Sequence, residues 1–383
     1  MEQQVNMHQV SNITKIVVVN STAAVSGGAL TILNEFISTI VRDNDYPYLK
    51  FVFFTAVDFP SVNAPNIKIV NVGKKNYLER VLWDYIGFNR YIRKNDILPQ
   101  IIMSFQNSGV SYDKDCPQLI YFHNPFSLMP HNWNPLKRNE RVLWFYTKVY
   151  PFFVKSLINN NTRIIVQAEW IKKAFAKRFK LPANKITVIL PTVKKDQFNC
   201  ISKHNEKMIL FFPATAFVYK NHALLLDMLQ YLKDKDLAFF KQITLVFTLN
   251  YENIVYLGLE KRYKLVKDNV ILSGYLIQEE MSRIYNESQI LVFPSKIETF
   301  GLPLIEAAYK NKFILCSDEA YAHETLEGYK NVEFVDNKNH VLWGERCYAH
   351  LKNIDSGSSN ESNNLERPDS WFKVIDLVKE MVN

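Results

Sequence analysis

Cysteine is scarce in this chain. The four, Cys116, Cys200, Cys316 and Cys347, stand far apart and none forms Cys-x-x-Cys, which argues against thiolate zinc sites and for reduced thiols in a cytoplasmic protein. Long apolar runs are missing too. The first fifteen residues are polar, with no basic segment leading into an apolar one, and the aromatic-rich run 142–154 is too short for a bilayer and carries Lys148. Neither a secretory leader nor a membrane span is expected. The histidines show no His-Glu-x-x-His spacing. Asp113-Lys-Asp115 and Asp234-Lys-Asp236 match a divalent-cation motif formally, but their polar, lysine-interleaved settings read as solvated charge. No metal and no cofactor are expected. There is no Gly-x-Gly-x-x-Gly, no P-loop and no short internal repeat.

What is present is an ordinary globular composition, 48% apolar and 22% charged over 383 residues, which is longer than one hydrophobic core usually serves. Two domains of similar size are expected. Short buried-strand patterns at 15–20, 51–55, 67–70, 101–104, 119–122, 164–167 and 186–189 alternate with helical ones such as 77–94. The alternation restarts at 208–212 and continues through 243–247, 269–272 and 290–293. That order predicts α/β architecture with mostly parallel sheets covered on both faces, and ligands beyond the carboxyl ends of the strands. The expected organisation is an N-terminal domain over 1–190, a polar linker at 191–205, a C-terminal domain over 206–352, a Ser/Asn/Gly-rich mobile loop at 353–369 and a closing helix at 370–383.

One stretch concentrates the chemistry. Residues 291–308, LVFPSKIETFGLPLIEAA, read as a strand stopped by Pro294, a polar loop, and a helix opening around Gly301 and Pro303. A helix N-terminus presents unpaired amides and the positive end of the macrodipole, so Glu298 beside it and Glu306 one turn inside it suit a ligand carrying both phosphate and hydroxyls. The strand 15–20 leads similarly into Gly27-Gly28 and a helix, a second place where backbone can approach a phosphate, though a plain turn is an equal reading. Lys220, in the loop after 208–212, is a cation at the start of a helix, a placement that favours a neighbouring anion. His123 follows the strand 119–122, at the sheet edge where ligands bind.

Pro-Ser-x-x-Glu-Thr-Phe-Gly-Leu-Pro-x-x-Glu-Ala resembles the donor-binding signature of retaining glycosyltransferases of the family 4 (group 1) type, which have the GT-B architecture of two Rossmann-like domains facing across a cleft. The resemblance extends from about residue 15 to 327. It implies transfer of a hexose-type sugar from a nucleotide-diphosphate sugar to a glycan or lipid-linked glycan acceptor, with retention of configuration, without a metal, in surface polysaccharide synthesis. By that likeness Glu306 holds ribose hydroxyls, while Glu298 and His123 contact the donor sugar. Lys220 would bind the diphosphate, the amides of Phe300, Gly301 and Leu302 would touch sugar and phosphate, and the backbone at Gly274 and Tyr275 would line the base. The family usually carries an arginine about six residues before this lysine. Ala214 and Thr215 stand there instead. A GT-B sugar-nucleotide epimerase or hydrolase, and a non-catalytic nucleotide-sugar-binding homologue, stay open as alternatives.

The net charge of +8 is concentrated. Residues 136–180 hold eleven basic side chains against two acidic ones, with Trp and Tyr interleaved. Such a mixture suits an anionic membrane surface, and peripheral attachment to the inner face of the cytoplasmic membrane is one expectation; a helix pair packed on the sheet is the other. No motif for reading nucleic acid accompanies the charge.

Overall fold

The computed structural model describes residues 14–25, 27–42, 46–59, 62–129, 131–191, 207–353 and 370–382. Two all-parallel sheets carry the fold. Seven strands form the first: β1 (Lys15–Asn20), β2 (Leu49–Thr55), β3 (Ile67–Asn71), β4 (Ile101–Ser104), β5 (Gln118–Phe122), β6 (Thr162–Val166) and β7 (Ile186–Val188), in the order β3-β2-β1-β4-β5-β6-β7. Six form the second: β8 (Met208–Phe212), β9 (Ile243–Phe247), β10 (Val270–Leu272), β11 (Ile290–Phe293), β12 (Phe313–Ser317) and β13 (Val332–Val335), in the order β10-β9-β8-β11-β12-β13. β4, β5, β9 and β11 are buried at every position, as strands covered by helices on both faces must be.

In each sheet the strand order reverses once, between β1 and β4 and between β8 and β11. A crevice opens where neighbouring crossovers leave in opposite directions, so these two points are where a doubly wound sheet takes its ligand. The segments that follow β1, β8 and β11 lead into Gly27-Gly28 at a helix start, Lys220 and Glu298. Both doubly wound halves and the alternation of strand and helix agree with the expected fold class.

Three elements carry detail beyond the sequence pattern. The helical pattern 77–94 is one rod with a π-helical turn, Trp83–Gly87, inserted between Tyr77–Leu82 and Phe88–Lys94. Gly87 permits it, since a Cβ there would lie 2.9 Å from the Trp83 ring. The run 142–154 is two helices, Arg141–Lys148 and Tyr150–Ser156, with Pro151 in the first turn of the second, where its missing N–H costs nothing. The closing helix Trp371–Val382 packs on the N-terminal sheet: Trp371 stacks on Tyr121 at 5.6 Å, Arg163 pairs with Glu380 at 2.8 Å, and the Lys15 ammonium donates to the Val382 carbonyl. The linker and the Ser/Asn/Gly-rich loop fall, but for Pro191 and Asn353, outside the described residues.

The halves meet through an apolar cluster of their own. Trp133 and Leu143 from the first pack with Tyr219 and Ile297 from the second, with Phe126 edge-on to Tyr219 at 4.8 Å.

Candidate active site

A cleft of about 460 Å³ lies between the two sheets. Gly28, Thr31, Ile32 and Glu35 of the helix Gly27–Arg42 form one wall, with Tyr121, His123 and Gln167 from the ends of β5 and β6. Lys220 and residues 298–303, with Glu306, form the other. Trp371 of the closing helix completes the N-terminal wall. The two sheets thus bring eight of the anticipated residues, Gly28, His123, Lys220, Glu298, Phe300, Gly301, Leu302 and Glu306, to one space.

At the centre Lys220 and Glu298 form an ion pair, Nζ to Oε1 at 2.5 Å, with both side chains largely buried. The lysine is not in the helix, as its sequence position suggested. It ends a 3-10 turn, Val218–Lys220, and Asn221 in the left-handed region separates it from the helix His222–Lys235. The ammonium also lies 5.7 Å from the Phe293 ring centre, which orients it further.

Glu306 projects from the helix Leu302–Tyr309 and accepts from the Tyr285 hydroxyl at 2.7 Å. Burial first, and then the Glu306 charge, push the Tyr285 phenol well above its ordinary pKa, so it acts as a fixed donor. Gly301 sits at φ +82° before this helix, and no side chain caps the helix start. The first-turn amides are thereby directed at the cleft end of the helix, in the geometry that attracts anions.

His123 is held from two sides. Its backbone N–H donates to Asn107 Oδ1 at 2.5 Å and its Nε2 lies 3.3 Å from Asn107 Nδ2. Burial pushes the imidazole down to about 4, against the opposing effect of the Tyr121 backbone. It is neutral at pH 7, so it offers a hydrogen bond and not a positive charge.

Gly274 and Tyr275 are not part of the cleft. Gly274, at φ +71°, hydrogen-bonds Leu249 at the end of β10, two strands from β8, and the Tyr275 side chain is 91% exposed. Gly27 opens the helix whose next residue, Gly28, lines the wall. Of the Asp-x-Asp motifs, Asp113 turns back on the Asp115 amide, and Asp236 caps the short helix Leu237–Phe240 through the Phe239 amide. Among the described residues no three His, Cys, Asp or Glu side chains gather as a metal site.

Several wall residues escaped the sequence reading. Glu35, Gln167 and Trp371 carry no local motif; only the folding of the closing helix back onto the N-terminal half puts Trp371 beside Tyr121. Behind the N-terminal wall lies a buried polar network, equally illegible. Asp84, in the π turn, accepts from Asn20 Nδ2 at 2.9 Å, Gln106 Nε2 at 3.1 Å and Ser108 Oγ at 3.3 Å.

With this geometry in place, the comparisons are decisive for the family. The family model described as "Glycosyl transferases group 1" matches residues 193–353, and "Glycosyltransferase Family 4" matches 45–197, so that together they cover every strand of the two sheets except β1. The chain belongs to the group 1 glycosyltransferases. The transferase is 22% identical over 343 residues to the O-antigen chain mannosyltransferase RfbU of Salmonella typhimurium, covering 86% of each chain. Among solved structures it superimposes on sucrose-phosphate synthase from Thermosynechococcus elongatus with a TM-score of 0.69, at 12% identity over 96% of this chain and 99% of that one. HepE from Anabaena, solved in complex with UDP and glucose, gives 0.65 at 12% identity with the same coverage. The architecture is GT-B.

Proposed function

We propose that this transferase moves a hexose from a nucleotide-diphosphate sugar to a glycan or lipid-linked glycan, with retention of anomeric configuration, in the synthesis of a surface polysaccharide. One observation carries the reading: the Lys220–Glu298 pair and Glu306 share a cleft with the uncapped start of the helix Leu302–Tyr309. Two of the similar proteins, an O-antigen mannosyltransferase and HepE solved with UDP and glucose, support the donor class and the setting.

In this reading Glu306, kept in place by Tyr285, receives ribose hydroxyls. The diphosphate lies against the amides of Phe300 to Leu302 and Lys220, which transfers from Glu298 to the phosphate when donor binds. That exchange leaves the Glu298 carboxylate to accept from sugar hydroxyls, alongside neutral His123. As the glycosidic bond breaks, negative charge grows on the departing phosphate and positive charge on the sugar ring, and preorganised amides and an ammonium stabilise the former without reorganising. The departing phosphate, on the acceptor side of the sugar, takes the acceptor proton. Among the described residues that line the cleft, Lys220 is the one cation against Glu35, Glu298 and Glu306, so the amides carry much of the phosphate's stabilisation.

Titration calorimetry with UDP, GDP and ADP tests the donor site. Glu306→Gln is expected to weaken the preferred nucleotide by roughly 1–3 kcal/mol, the range for a lost charge-assisted hydrogen bond. Lys220→Ala should weaken diphosphates more than monophosphates. Wild-type protein that binds none of the three would overturn the reading. Acceptor dependence of product formation separates transfer from epimerisation or hydrolysis, and activity after EDTA treatment supports a metal-independent reaction.

We further propose peripheral attachment to an anionic membrane, on a surface different from the one composition suggested. Most rings of 142–154 are consumed by packing: Leu143 and Trp144 enter the cluster between the halves, and Phe145, Tyr146 and Tyr150 pack on the N-terminal sheet. A further exposed apolar surface is a stripe on the neighbouring rod, Leu78, Leu82 and Ile86, exposed by 73%, 58% and 53% at four-residue spacing. Tyr85 joins it to the helix Tyr150–Ser156 by contacts with Phe153 and Ser156, and there Phe152 is 73% exposed. Exposed Lys74, Arg90, Lys148 and Lys155 lie on the same elements or beside them.

A further inference from the structure

Among the described residues Trp170 stands apart, because it packs against the C-terminal core, one of the N-terminal clusters and the cluster between the halves. It opens the helix Glu169–Phe179 of the N-terminal half. Its indole Nε1 crosses to the other half and donates to the Thr299 carbonyl at 3.1 Å. Thr299 follows Glu298 in the loop that forms the donor wall. Beside this contact the Glu324 carboxylate, from the C-terminal half, accepts from the backbone amides of Glu169 at 2.5 Å and Trp170 at 3.0 Å, capping a helix that has no cap of its own. The next carbonyl of the loop, Phe300, accepts from the Thr325 hydroxyl, one residue on from Glu324. Tyr321, on the same helix, Ala320–Thr325, donates to the Ser295 carbonyl at 2.7 Å.

The consequence follows from peptide planarity. In a trans peptide the N–H of one residue points opposite to the C=O of the residue before it, so a donor that grips the Thr299 carbonyl sets the direction of the Phe300 N–H. Thr325 does the same for the Gly301 N–H. Of these two grips, the second is internal to the C-terminal half, whereas the first exists only while the two halves are in contact. We infer that Trp170 is a positioning residue through which closure of the N-terminal half aims the Phe300 amide of the donor loop. This rests on the donor reading above. It assigns to the acceptor-side half a direct part in preparing the donor site, acting through the Thr299 carbonyl without touching the donor.

The distinguishing variant is Trp170→Phe, which keeps a ring in the packing and removes only the N–H. Turnover is measured as nucleoside diphosphate released from UDP-, GDP- and ADP-sugars, with nucleotide affinity from calorimetry and amide hydrogen exchange over residues 295–303. Positioning predicts kcat lowered by about three- to tenfold, the range for one neutral hydrogen bond. Nucleotide diphosphate affinity should fall by no more than the same factor, since Glu306 and Lys220 are untouched, and exchange over the loop should quicken. Trp170→Leu, which also loses the ring, should add a fall in melting temperature that Trp170→Phe does not show. A merely structural tryptophan would give Trp170→Phe wild-type kcat and wild-type loop exchange, and that result would overturn the inference. If the wild type turns over none of the donors, the donor reading fails by itself. Loop exchange in the free protein then decides this inference alone: faster in Trp170→Phe supports it, unchanged refutes it.

Discussion

At the scale of single residues, burial and not sequence neighbourhood sets the behaviour of the ionisable groups. Asp84 illustrates this. Three hydrogen-bond donors hold it, yet burial outweighs them and pushes its carboxyl from 3.8 up to about 7, with Arg80 the nearby cation opposing the rise and Tyr150 and Tyr77 facing it as phenols. The raised value means the folded state keeps a proton between pH 4 and 7 that the unfolded chain has lost, so this group's contribution to stability is present below pH 4 and is lost as pH rises through 7. A rise of that size corresponds to roughly 4 kcal/mol across the window. Asp84→Asn should therefore flatten the stability difference between pH 4.5 and 8 relative to wild type, as read by urea midpoints at the two pH values; an unchanged difference would refute the assignment. His123 shows the same effect in a base, and its neutrality restricts it to hydrogen bonding at the pH where a transferase of this kind works.

At the scale of elements, the decisive unit is the turn between β11 and the helix Leu302–Tyr309. Its sequence signals were legible because turn chemistry is local: Pro294 ends the strand, Gly301 supplies a positive φ, and Pro303 falls in the first helical turn, where its lack of an N–H is harmless. Gly301 is required twice over. A side chain would be strained at φ +82°, and its Cβ would stand 3.1 Å from Leu304 Cδ1 and 3.5 Å from the Tyr321 ring. Gly301→Ala is expected to destabilise the fold by about 1–2 kcal/mol from backbone strain alone. It should also weaken nucleotide binding, because relief of the clash re-aims the first-turn amides. Denaturation midpoints and nucleotide calorimetry on the same preparation check both. The π turn at Trp83–Gly87 had no such local signature, since a helical apolar period reads alike through α and π segments.

At the scale of the whole molecule, what matters is how the halves face one another and what they leave uncovered. The stripe of Leu78, Leu82 and Ile86 belongs to a rod whose opposite side, with Phe88 and Ile92, is buried on the N-terminal sheet. Replacing all three with serine should abolish sedimentation with anionic liposomes while leaving nucleotide affinity unchanged, because the stripe does not line the cleft. Binding by the wild type should weaken steeply with salt, as screening predicts. Wild-type protein that stays in solution at low salt would remove the membrane claim and leave the transferase untouched.

The sequence by itself determined eleven of the thirteen strands, their parallel arrangement, the two halves and the turn from β11 into the helix Leu302–Tyr309. Each of these rests on short-range information: apolar period, turn residues, and a motif spanning 18 positions. Glu298 and Glu306 were legible for that reason, and Lys220 was legible as a residue though not in its local conformation. Only the tertiary structure decided which residues share the cleft and which do not. It brought Trp371 to the N-terminal wall, joined Trp170 to Thr299, and left Tyr275 pointing outward. It also decided that most of the aromatic residues in the basic segment pack against the cores, and that a further exposed apolar stripe lies on a helix that composition had not singled out. The physical reason is the same in each case: side-chain chemistry is local, but burial and contact depend on packing between elements far apart in the chain, and no spacing within one segment encodes what another segment will cover.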